Sequence, residues 1–532
     1  MINLEDSVKK EQEIEINDDF HRAIDLIVHS SANVFITGKA GTGKSTFLQY
    51  CRCEVKKNLV ILAPTGVAAV NVQGQTIHSF FNFKPDIIVE AVSSVKIKPD
   101  MTKIYKNLQT LIIDEISMVR ADLMDCVDTF LRLYGPKEDE VFGGVQIVFI
   151  GDLYQLAPVV TPDERHIFQT LYKSPYFFDA HVFNKVEMEI IEFEKNYRQK
   201  EAGFLELLNA IRNNDVTEQN METLNQRYNS TFEPKPDEFY VHLTTTNKLA
   251  DQINEERLHA LNEDLFTYEG KVRGDFTQGS LPTHEVLDLK VGAQVMLVNN
   301  DSEKRWVNGS IGEVVDIFKA GFNSVAVQVL LNDGQRVEVE PYTWEIFQFY
   351  YNEKKGAIDS RVMGSFKQFP MRLAWAITIH KSQGKTFDRV VVDVGRGAFC
   401  HGQIYVALSR CTTFDGIFLK KKIETKDIKM DRCVAEFLTE YQYQISDKKF
   451  PQNEKLRIIN EAIDKNRALE IVYLKENNQR NRRAILPKSL RSFERDEKKH
   501  WGVEAFCLQR QEDWVFRLEY ILELQLFEEV KV

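Results

Sequence analysis

The sequence predicts an α/β protein built on parallel β-sheets, with an antiparallel β region inserted into it. Continuous apolar runs alternate with helical stretches, a pattern typical of parallel strands buried on both faces. A glycine-rich loop lies between the first such run and a helical stretch. Farther along, short β-type runs are separated by Asn308-Gly309 and Asp333-Gly334, pairs that readily supply the positive φ angles of hairpins.

Two parallel regions account for the apolar runs. The first has strand candidates at residues 34–36, 59–62, 111–113 and 147–150, and the second at 188–191, 240–243 and 390–393. From these runs we predict six segments: a polar N-terminal tail (1–16), a first lobe (17–183), a second lobe (184–256 and 365–445), an inserted β domain (257–364), a polar linker containing Pro451 (446–454) and a C-terminal domain (455–532).

Composition narrows the class of protein. Of 532 residues, 43% are hydrophobic and 28% are charged, which is ordinary for globular domains. The polar N-terminus and the lack of an apolar run near the roughly 20 residues of a membrane span predict neither a signal peptide nor a membrane anchor. The seven scattered cysteines match no zinc or disulfide pattern, so we expect a cytoplasmic protein. The net charge of −11 argues mildly against a polyanionic partner, although a basic groove can exist within an acidic surface.

A nucleotide-binding loop is predicted at residues 38–45, where GKAGTGKS matches the pattern G-x-x-x-x-G-K-[ST] after a strand and before a helix. Backbone N–H groups of such a loop surround phosphate oxygens, and the helix N-terminus adds partial positive charge. We expect Lys44 to reach the β- and γ-phosphates of ATP and the Ser45 hydroxyl to bind Mg²⁺. The predicted phosphate contacts are Gly38, Gly41, Thr42, Gly43, Lys44, Ser45 and Thr46.

A pair of carboxylates ends the third apolar run, at Asp114 and Glu115. Taken alone, a strand that ends in Asp-Glu is common and fits a surface turn equally well. Because it follows a phosphate-binding loop, we predict that Asp114 holds Mg²⁺ and that Glu115 polarises the attacking water. The pair favours nucleotide hydrolysis over a small-molecule kinase reaction.

Six further segments occur in an order that resembles the PIF (petite integration frequency) family of superfamily 1 DNA helicases. They are APTGVAA (63–69), GQTIHSF (74–80), GDLYQLAP (151–158), NYR (196–198), AWAITIHKSQG (374–384) and YVALSR (405–410). The resemblance extends over residues 17–444. It implies two RecA-like lobes of a P-loop NTPase, an SH3-like barrel inserted in the second lobe, and 5′-to-3′ movement on single-stranded DNA with unwinding of duplex or forked DNA.

The resemblance also assigns roles around the nucleotide. It implies that Gln155 and Arg198 sense the γ-phosphate and that Arg410 is an arginine finger, because a guanidinium stabilises charge on phosphoryl oxygens. It further implies that Tyr197 stacks on adenine, with a core position as the alternative, and that Gln383 and Gly384 contact the nucleotide. The family places an adenine-reading glutamine where this chain has Phe20, so we expect GTP to be accepted as well.

A path for single-stranded DNA across both lobes follows from the same resemblance. The predicted contacts are Thr65, Gly66, Thr76, His78, Phe80, Thr246, Asn247, His380 and Lys381. Phosphate contacts of this kind carry little sequence information, which suits movement along any sequence. For Phe80 a core position competes with stacking on a base, and both histidines have a structural alternative. Residues 84–107 occupy the place of the family's small wedge, and we expect a hairpin or loop there.

The C-terminal segment resembles a WYL domain, a small Sm-like β-barrel, through residues 469–473, 482–487 and 514–518. This resemblance indicates Arg482, Arg483 and Arg517 as contacts for single-stranded DNA; a solvated basic face or an intramolecular brace is the alternative. Two other functions stay open for the whole chain. One is an ATPase that remodels protein–DNA or RNA complexes, and the other is a nucleotide-regulated WYL transcription regulator. Because one chain holds both lobes, we expect a monomer, acting at the nucleoid.

Overall fold

The structure is a computed structural model, and it describes residues 16–235, 238–276, 281–320, 324–395, 397, 400–474, 480–495 and 498–526. The chain divides into two compact units: Met1–Asn209 with Val216–Lys429, and Ala210–Asp215 with Met430–Val532. Among the described residues, no helix has both the length and the apolar character needed to cross a bilayer. The predicted N-terminal tail lies outside the described residues except for Ile16.

The first lobe is a parallel sheet with flanking helices. Its strands are β1 (Asn33–Gly38), β2 (Leu59–Ala63), β3 (Gln75–Thr76), β4 (Thr110–Ile113), β5 (Gln146–Ile150) and β6 (Met188–Phe193). Its helices are α1 (Asp18–His29), α2 (Lys44–Glu54), α3 (Gly66–Asn71), α4 (Ile77–Phe81), α5 (Pro99–Asn107), α6 (Ala121–Tyr134) and α7 (Pro162–Leu171). The strand order is β3-β2-β4-β5-β1-β6, and every pair is parallel. The predicted α/β class is therefore confirmed.

Aromatic packing fixes the start of α2 against this sheet. The Phe20 ring on α1 lies 5.2 Å from Phe47 on α2 and 4.9 Å from Phe193 at the end of β6, measured between ring centroids. All three side chains are buried. Large aromatic groups contribute strongly to packing because each buries a large apolar area. The loop between β1 and α2 therefore leads into a helix that is packed against α1 and β6 by this aromatic cluster.

Two sequence predictions in this lobe require correction. The run at 188–191 was expected to begin the second lobe, but β6 pairs with β1 along its whole length and forms the edge of the first sheet. An apolar run reveals a buried strand without revealing its sheet. The wedge segment 84–107 is helical, with a 3-10 helix (Val89–Ser94) followed by α5, rather than a hairpin or loop. Pro99 at the first position of α5 is a helix-start signal that the prediction overlooked.

The inserted domain is antiparallel, as predicted. Helices α8 (Ala202–Arg212), α9 (Glu218–Asn225) and α10 (Asn247–Ala260) and strand β7 (Val241–Thr244) precede it. Its strands are β8 (Phe266–Glu269), β9 (Lys271–Gly274), β10 (Val286–Leu289), β11 (Gln294–Leu297), β12 (Ile311–Ala320), β13 (Ser324–Leu331), β14 (Arg336–Val339), β15 (Tyr342–Asn352), β16 (Ala357–Gln368) and β17 (Met371–Leu373). They form the sheets β14-β13-β12-β11-β17 and β15-β16-β9 and the pair β10-β8.

The domain ends later than residue 364, because β17 pairs with β11. Alternate residues of its strands, such as Val295, Val327 and Met371, are fully buried in one apolar core. Gly309 and Gly334 have φ angles of 107° and 87°, so both predicted glycine turns adopt the left-handed backbone.

The second lobe is completed by β18 (Ala376–Thr378), β19 (Val390–Asp393), β20 (Ile417–Leu419) and α11 (Gln403–Leu408). These strands join β7 in a parallel sheet of order β18-β7-β19-β20. The residues of α11 are all buried, so the short helix packs inside the unit and carries the segment that follows it.

The second compact unit is an antiparallel sheet with two helices. Its elements are α12 (Arg432–Lys449), α13 (Gln452–Asp464), β21 (Leu469–Leu474), β22 (Arg480–Arg495), β23 (Lys498–Cys507), β24 (Glu512–Arg517) and β25 (Ile521–Leu526), with the strand order β24-β23-β22-β21-β25. The predicted linker at 446–454 is helical except around Phe450-Pro451. Its polar residues lie on helices whose apolar side chains pack against the sheet.

Candidate nucleotide and nucleic-acid sites

The glycine-rich loop joins β1 to α2 and has the backbone that phosphate binding requires. Gly41 and Gly43 both have a φ of 86°, in the left-handed region that favours glycine. A Cβ atom at Gly41 would lie 2.7 Å from the Cβ of Arg198, so only glycine lets the loop and that arginine approach so closely. Thr42 is buried and donates from its hydroxyl to Lys39 O at 2.9 Å. Ser45 and Thr46, in the first turn of α2, are exposed.

Lys44 lies across the mouth of this loop. Its Nζ donates to Gly38 O at 2.7 Å and to Lys39 O at 2.9 Å. An ammonium held by two carbonyl groups at the edge of the loop can exchange those acceptors for phosphate oxygens with little movement. The geometry therefore fits the predicted phosphate contact.

The two carboxylates follow β4, as predicted, and face Lys44. Burial and the neighbouring Glu115 raise the pKa of Asp114 to about 7, while Lys44 acts against that shift. Burial also raises the pKa of Glu115, opposed by Lys44 and Arg410. Glu115 has a φ of 49°, which turns the chain away from the strand at this point. A divalent cation would offset the destabilised negative charge, and the Ser45 hydroxyl and Asp114 carboxylate are oxygen donors of the kind Mg²⁺ prefers.

Gln155 is buried behind the carboxylate pair. Its side-chain amide donates to Asp152 Oδ2 at 3.2 Å. The same carboxylate oxygen accepts a hydrogen bond of 3.4 Å from the hydroxyl of Tyr405, a residue of the second lobe. The Tyr405 hydroxyl also accepts from the backbone N–H of Ala40, inside the glycine-rich loop, at 3.1 Å. Tyr405 therefore connects the second lobe to two parts of the first, a role that the sequence analysis did not assign.

Arg198 and Arg410 come together at the seam between the lobes. Burial and the charge of Arg410 lower the pKa of Arg198 to about 9. Arg410 is 1% exposed, and burial lowers its pKa while Tyr405, Glu115 and Asp152 oppose the shift. Both guanidinium groups donate to carbonyl oxygens, and that of Arg410 also donates to the Ser409 hydroxyl. A buried cation and a half-buried one side by side form a site that favours an anion with several negative charges.

Close backbone approach shows that the lobes meet here. Gly402, just before α11, has a φ of 70°. A Cβ atom there would lie 2.3 Å from Tyr154 O and 2.6 Å from Gln155 O. Glycine thus lets the helix that precedes Arg410 contact the segment of the first lobe that carries Gln155.

Gln383 and Gly384 come just before Lys385 in the second lobe. The Arg410 Nη1 donates to the Lys385 carbonyl oxygen at 3.5 Å, which places these residues near Arg410. Within the described part of the chain, the Gln383 amide nitrogen is a buried donor that has no acceptor. Because a buried donor without an acceptor is costly, a ligand oxygen would stabilise this amide. Gly384 has a φ of 74°.

Tyr197 lies beside the loop with an exposed ring. Its backbone N–H donates to Gly41 O at 2.9 Å, and its hydroxyl accepts a 3.4 Å hydrogen bond from the side chain of Asn17. The ring is 38% exposed, which is compatible with stacking on a base and excludes the alternative core position. Phe20 is 1% exposed within the aromatic cluster, so it cannot touch a base. Asn17, whose side-chain amide donates to the Tyr197 hydroxyl, was missed by the sequence analysis.

The predicted DNA contacts include three threonines that share one arrangement. Thr65, Thr76 and Thr246 are the N-cap residues of α3, α4 and α10. Each hydroxyl oxygen accepts from a backbone N–H three residues on, at 3.2, 3.1 and 3.4 Å respectively. A capping hydroxyl still has its own proton to donate, so it can contact a phosphate oxygen. Gly66 and Asn247 are the first residues of two of these helices.

The aromatic and histidine predictions on this face have different outcomes. Phe80 is 0% exposed and packs against Phe81 and Tyr105, at centroid distances of 4.9 and 5.4 Å. The prediction that it stacks on a base is therefore wrong. His78 and His380 are half-buried, and burial lowers the pKa of each. Both remain predicted contacts.

A cavity of 270 Å³, lined by both basic and acidic side chains, lies next to the predicted contacts of the second lobe. Asn247 and Lys381 line it together with His284 and Arg372, two residues that the sequence analysis missed. Burial and Arg372 lower the pKa of Lys381. Neither missed residue belongs to a recognised motif, so only the fold could identify them.

The three arginines predicted in the C-terminal unit do not all lie on one face of its sheet. Arg482 and Arg483 are consecutive in β22, so their side chains leave opposite faces of the sheet. Arg482 lies 3.6 Å from Glu470, measured between Nε and Oε1. Arg517 donates to the Tyr520 hydroxyl at 3.0 Å and lies 3.6 Å from Glu519.

Comparison with known families identifies two regions. The model described as PIF1-like helicase matches residues 10–222, and the WYL domain model matches residues 454–526. The chain is 32% identical over 419 residues to the ATP-dependent DNA helicase Pif1 of Bdellovibrio bacteriovorus, covering 76% of this chain and 88% of that one. It is 28% identical to the longer ATP-dependent DNA helicase RRM3 of Saccharomyces cerevisiae, of which it spans 63%.

Solved structures give a consistent result. Bacteroides sp Pif1 in complex with ADP-AlF4 has a TM-score of 0.74 and 37% identity, covering 81% of this chain and 98% of that chain. Bacteroides Pif1 bound to ssDNA has a TM-score of 0.58 and 36% identity over the same shares. These two structures are therefore similar to this chain in sequence as well as in fold.

Proposed function

Since the chain belongs to the PIF1-like helicase family, we propose that it is an ATP-dependent DNA helicase that hydrolyses ATP between its two RecA-like lobes. The main support is that Lys44 and Glu115 of the first lobe meet Arg410 of the second lobe at one buried seam. There Arg410 interacts electrostatically with Glu115. ATP would bind both lobes at once, and hydrolysis would weaken that connection. Each turnover would then change the separation of the lobes.

The roles of the side chains follow from their positions. Lys44 and the loop N–H groups bind the β- and γ-phosphates, and Tyr197 stacks on the base. Ser45 and Asp114 hold Mg²⁺, which when bound neutralises phosphate charge. Glu115 accepts a proton from the attacking water, and Arg198, Gln155 and Arg410 stabilise the charge that spreads over the phosphoryl oxygens. Gln383 and Gly384 complete the nucleotide contacts from the second lobe.

Single-stranded DNA is the proposed track. The capping threonines, Gly66, Asn247 and the half-buried histidines would bind phosphates, with Lys381 supplying charge. The ssDNA-bound Bacteroides Pif1 supports this substrate. We propose movement in the 5′-to-3′ direction with unwinding of duplex and forked DNA, which rests on family membership. A DNA motor of this kind would act at the nucleoid. Because one chain holds every proposed ATP contact, a monomer would suffice for hydrolysis.

We also propose a domain division that follows the sheets. The first lobe extends to the end of β6, the second lobe surrounds an inserted SH3-like barrel ending with β17, and the WYL domain begins with α12. The antiparallel order of β11–β14 and β17 around one apolar core supports the barrel.

Steady-state ATPase and strand-displacement assays test this function. We expect single-stranded DNA to stimulate hydrolysis strongly, and a duplex with a 5′ single-stranded tail to be unwound in preference to one with a 3′ tail. DNA-stimulated hydrolysis without strand displacement on any tailed DNA would favour an ATPase that remodels protein–DNA complexes. Stimulation by RNA alone would favour an RNA substrate, and indifference to both polymers would reject the motor.

A further inference from the structure

Gln199 is a buried residue that the proposed chemistry does not use. Its side chain is 2% exposed. Its amide nitrogen donates two hydrogen bonds from the segment that follows β6 to the second lobe. One goes to Ser409 O at 3.0 Å and the other to Cys411 O at 2.9 Å. These two carbonyl groups belong to the residues on either side of Arg410.

Two hydrogen bonds at these places fix the backbone of Arg410. The direction of a side chain is set by the backbone dihedral angles of its residue. The Ser409 carbonyl belongs to the peptide group just before Arg410, and the Cys411 carbonyl belongs to the peptide group one residue beyond the one that follows Arg410. An amide that holds both carbonyl oxygens therefore restricts where the Arg410 guanidinium can point. Arg198 adds a third hydrogen bond, from its Nη1 to Ser409 O at 3.0 Å.

Gln199 is itself tied to the phosphate-binding loop. The Asn196 side-chain oxygen accepts from the backbone N–H groups of Arg198 and Gln199, at 2.8 and 2.9 Å. The Asn196 side-chain nitrogen donates to Ala40 O, inside the loop, at 2.9 Å. A continuous polar path thus runs from the loop through Asn196 and Gln199 to the backbone of Arg410.

We propose that Gln199 is a positioning residue that aligns Arg410 with the phosphate-binding loop when the lobes close. The inference rests on the proposed ATP hydrolysis at this seam. Gln199 is not expected to touch the nucleotide. Its contribution is to hold the Arg410 guanidinium where charge develops during phosphoryl transfer, and a displacement of about 1 Å at such a place can cost about 10²-fold in rate.

The first test replaces Gln199 with Met in the full chain, which keeps the length of the side chain and removes both hydrogen bonds. We expect kcat to fall by roughly 10- to 100-fold while KM for ATP stays within about threefold, because the lost interaction acts in the transition state. Affinity for ADP with aluminium fluoride should fall, and affinity for ADP alone should be kept. A kcat within about twofold of wild type would overturn the proposal.

Combination with Arg410→Ala separates positioning from general stabilisation. If Gln199 acts through Arg410, the double variant should be as slow as Arg410→Ala alone. Multiplicative losses in the double variant would overturn the proposal.

Gln294→Met is the matched control. Gln294 is 5% exposed, and its amide also bridges two carbonyl groups away from the seam, Tyr240 O at 2.9 Å and Ala374 O at 2.8 Å. A loss of kcat as large in Gln294→Met would likewise overturn it.

Gln199→Asn covers the case in which the Met variant fails to fold. Asparagine keeps the amide but is one methylene shorter, so it can no longer reach both carbonyl groups. We expect a partial loss of kcat, and unchanged kcat would reject the inference. If wild type hydrolyses ATP and the Gln199 variants match it, only this inference fails. If wild type shows no hydrolysis that Lys44→Ala removes, the proposed function itself fails.

Discussion

The seam between the lobes and the face predicted to contact DNA hold their polar side chains in different ways. At the seam, Arg410 and Gln199 are almost fully buried, and the hydrogen bonds from Arg198 and Gln199 to Ser409 O join residues about 210 positions apart in the chain. On the DNA face, Thr65 and Thr246 are exposed and contact only backbone three residues away. The seam is a cooperative network of desolvated charges, whereas the face is a series of local, independent contacts. Substitutions should therefore be costly and non-additive at the seam, and mild and additive on the face.

The largest effect is expected from Lys44→Ala. This change removes the cation that lies over the loop, and we expect kcat/KM for ATP to fall by at least about 10³-fold in a steady-state assay. Lys39→Ala removes a neighbouring lysine of the same loop and serves as the control for net charge. Equal losses in the two variants would show that charge alone, rather than the position of Lys44, matters.

Glu115→Gln should come next. The amide keeps the size of the side chain but cannot take a proton from water, so we expect kcat to fall by roughly 10²- to 10³-fold. Nucleotide affinity should be kept or improved, because one buried negative charge near the phosphates is lost. Binding of a fluorescent ATP analogue and single-turnover hydrolysis would measure the two quantities separately. Weaker nucleotide binding together with unchanged single-turnover hydrolysis would contradict the assigned role.

On the DNA face, Lys381→Ala should have a smaller effect. We expect affinity for a single-stranded oligonucleotide to fall by about tenfold or less, and the slope of log affinity against log salt to decrease by about 0.7, the value for one phosphate contact. Fluorescence anisotropy at several salt concentrations measures both. Lys137→Ala is the control, because Lys137 is exposed and paired with Glu140. A salt slope that changes equally in both variants would exclude a specific contact.

Base selectivity should be weak. Phe20 is buried and offers no hydrogen bond, so the kcat/KM values for ATP and GTP are expected to differ by less than about tenfold. Parallel hydrolysis assays with the two nucleotides measure the ratio. A preference for ATP of about 10³-fold or more would show that another group, with Asn17 as the first candidate, reads the adenine edge.

The same comparison explains what the sequence could predict. Residues 38–45 and the Asp114-Glu115 pair follow strands that the sequence pattern predicts, so their positions in the fold could be predicted locally. Gln199 and Tyr405 contact partners more than 200 positions away that only the tertiary fold brings near. Both lay within or beside recognised motifs, but Gln199 stands among polar residues, and only Tyr405, a polar side chain among apolar neighbours, carried a signal. That signal indicates burial of a polar group without identifying its partner.

The fold predictions failed for related reasons. The apolar run that became β6 was correctly predicted as a strand, but hydrophobicity does not specify the sheet to which a strand belongs. Residues 446–454 were interpreted as a linker from their polarity, and the structure has them at the junction of two amphipathic helices. Phe80 was placed on DNA by its proximity to a motif, whereas its aromatic neighbours place it in the core.

The smallest effect is expected in the WYL domain. It sharpens the comparison because it concerns two single charges, the exposed Arg482 and the half-buried Arg483. Arg482 and Arg483 point to opposite faces of β22, so at most one of them can contact a given strand of DNA. We expect one of the variants Arg482→Ala and Arg483→Ala to weaken single-stranded DNA binding by about two- to threefold and the other to leave it unchanged. Anisotropy with the full chain at low salt is the measurement. Equal losses in both variants would indicate a diffuse electrostatic field instead of a binding face, and no loss in either would leave the solvated basic face as the better interpretation.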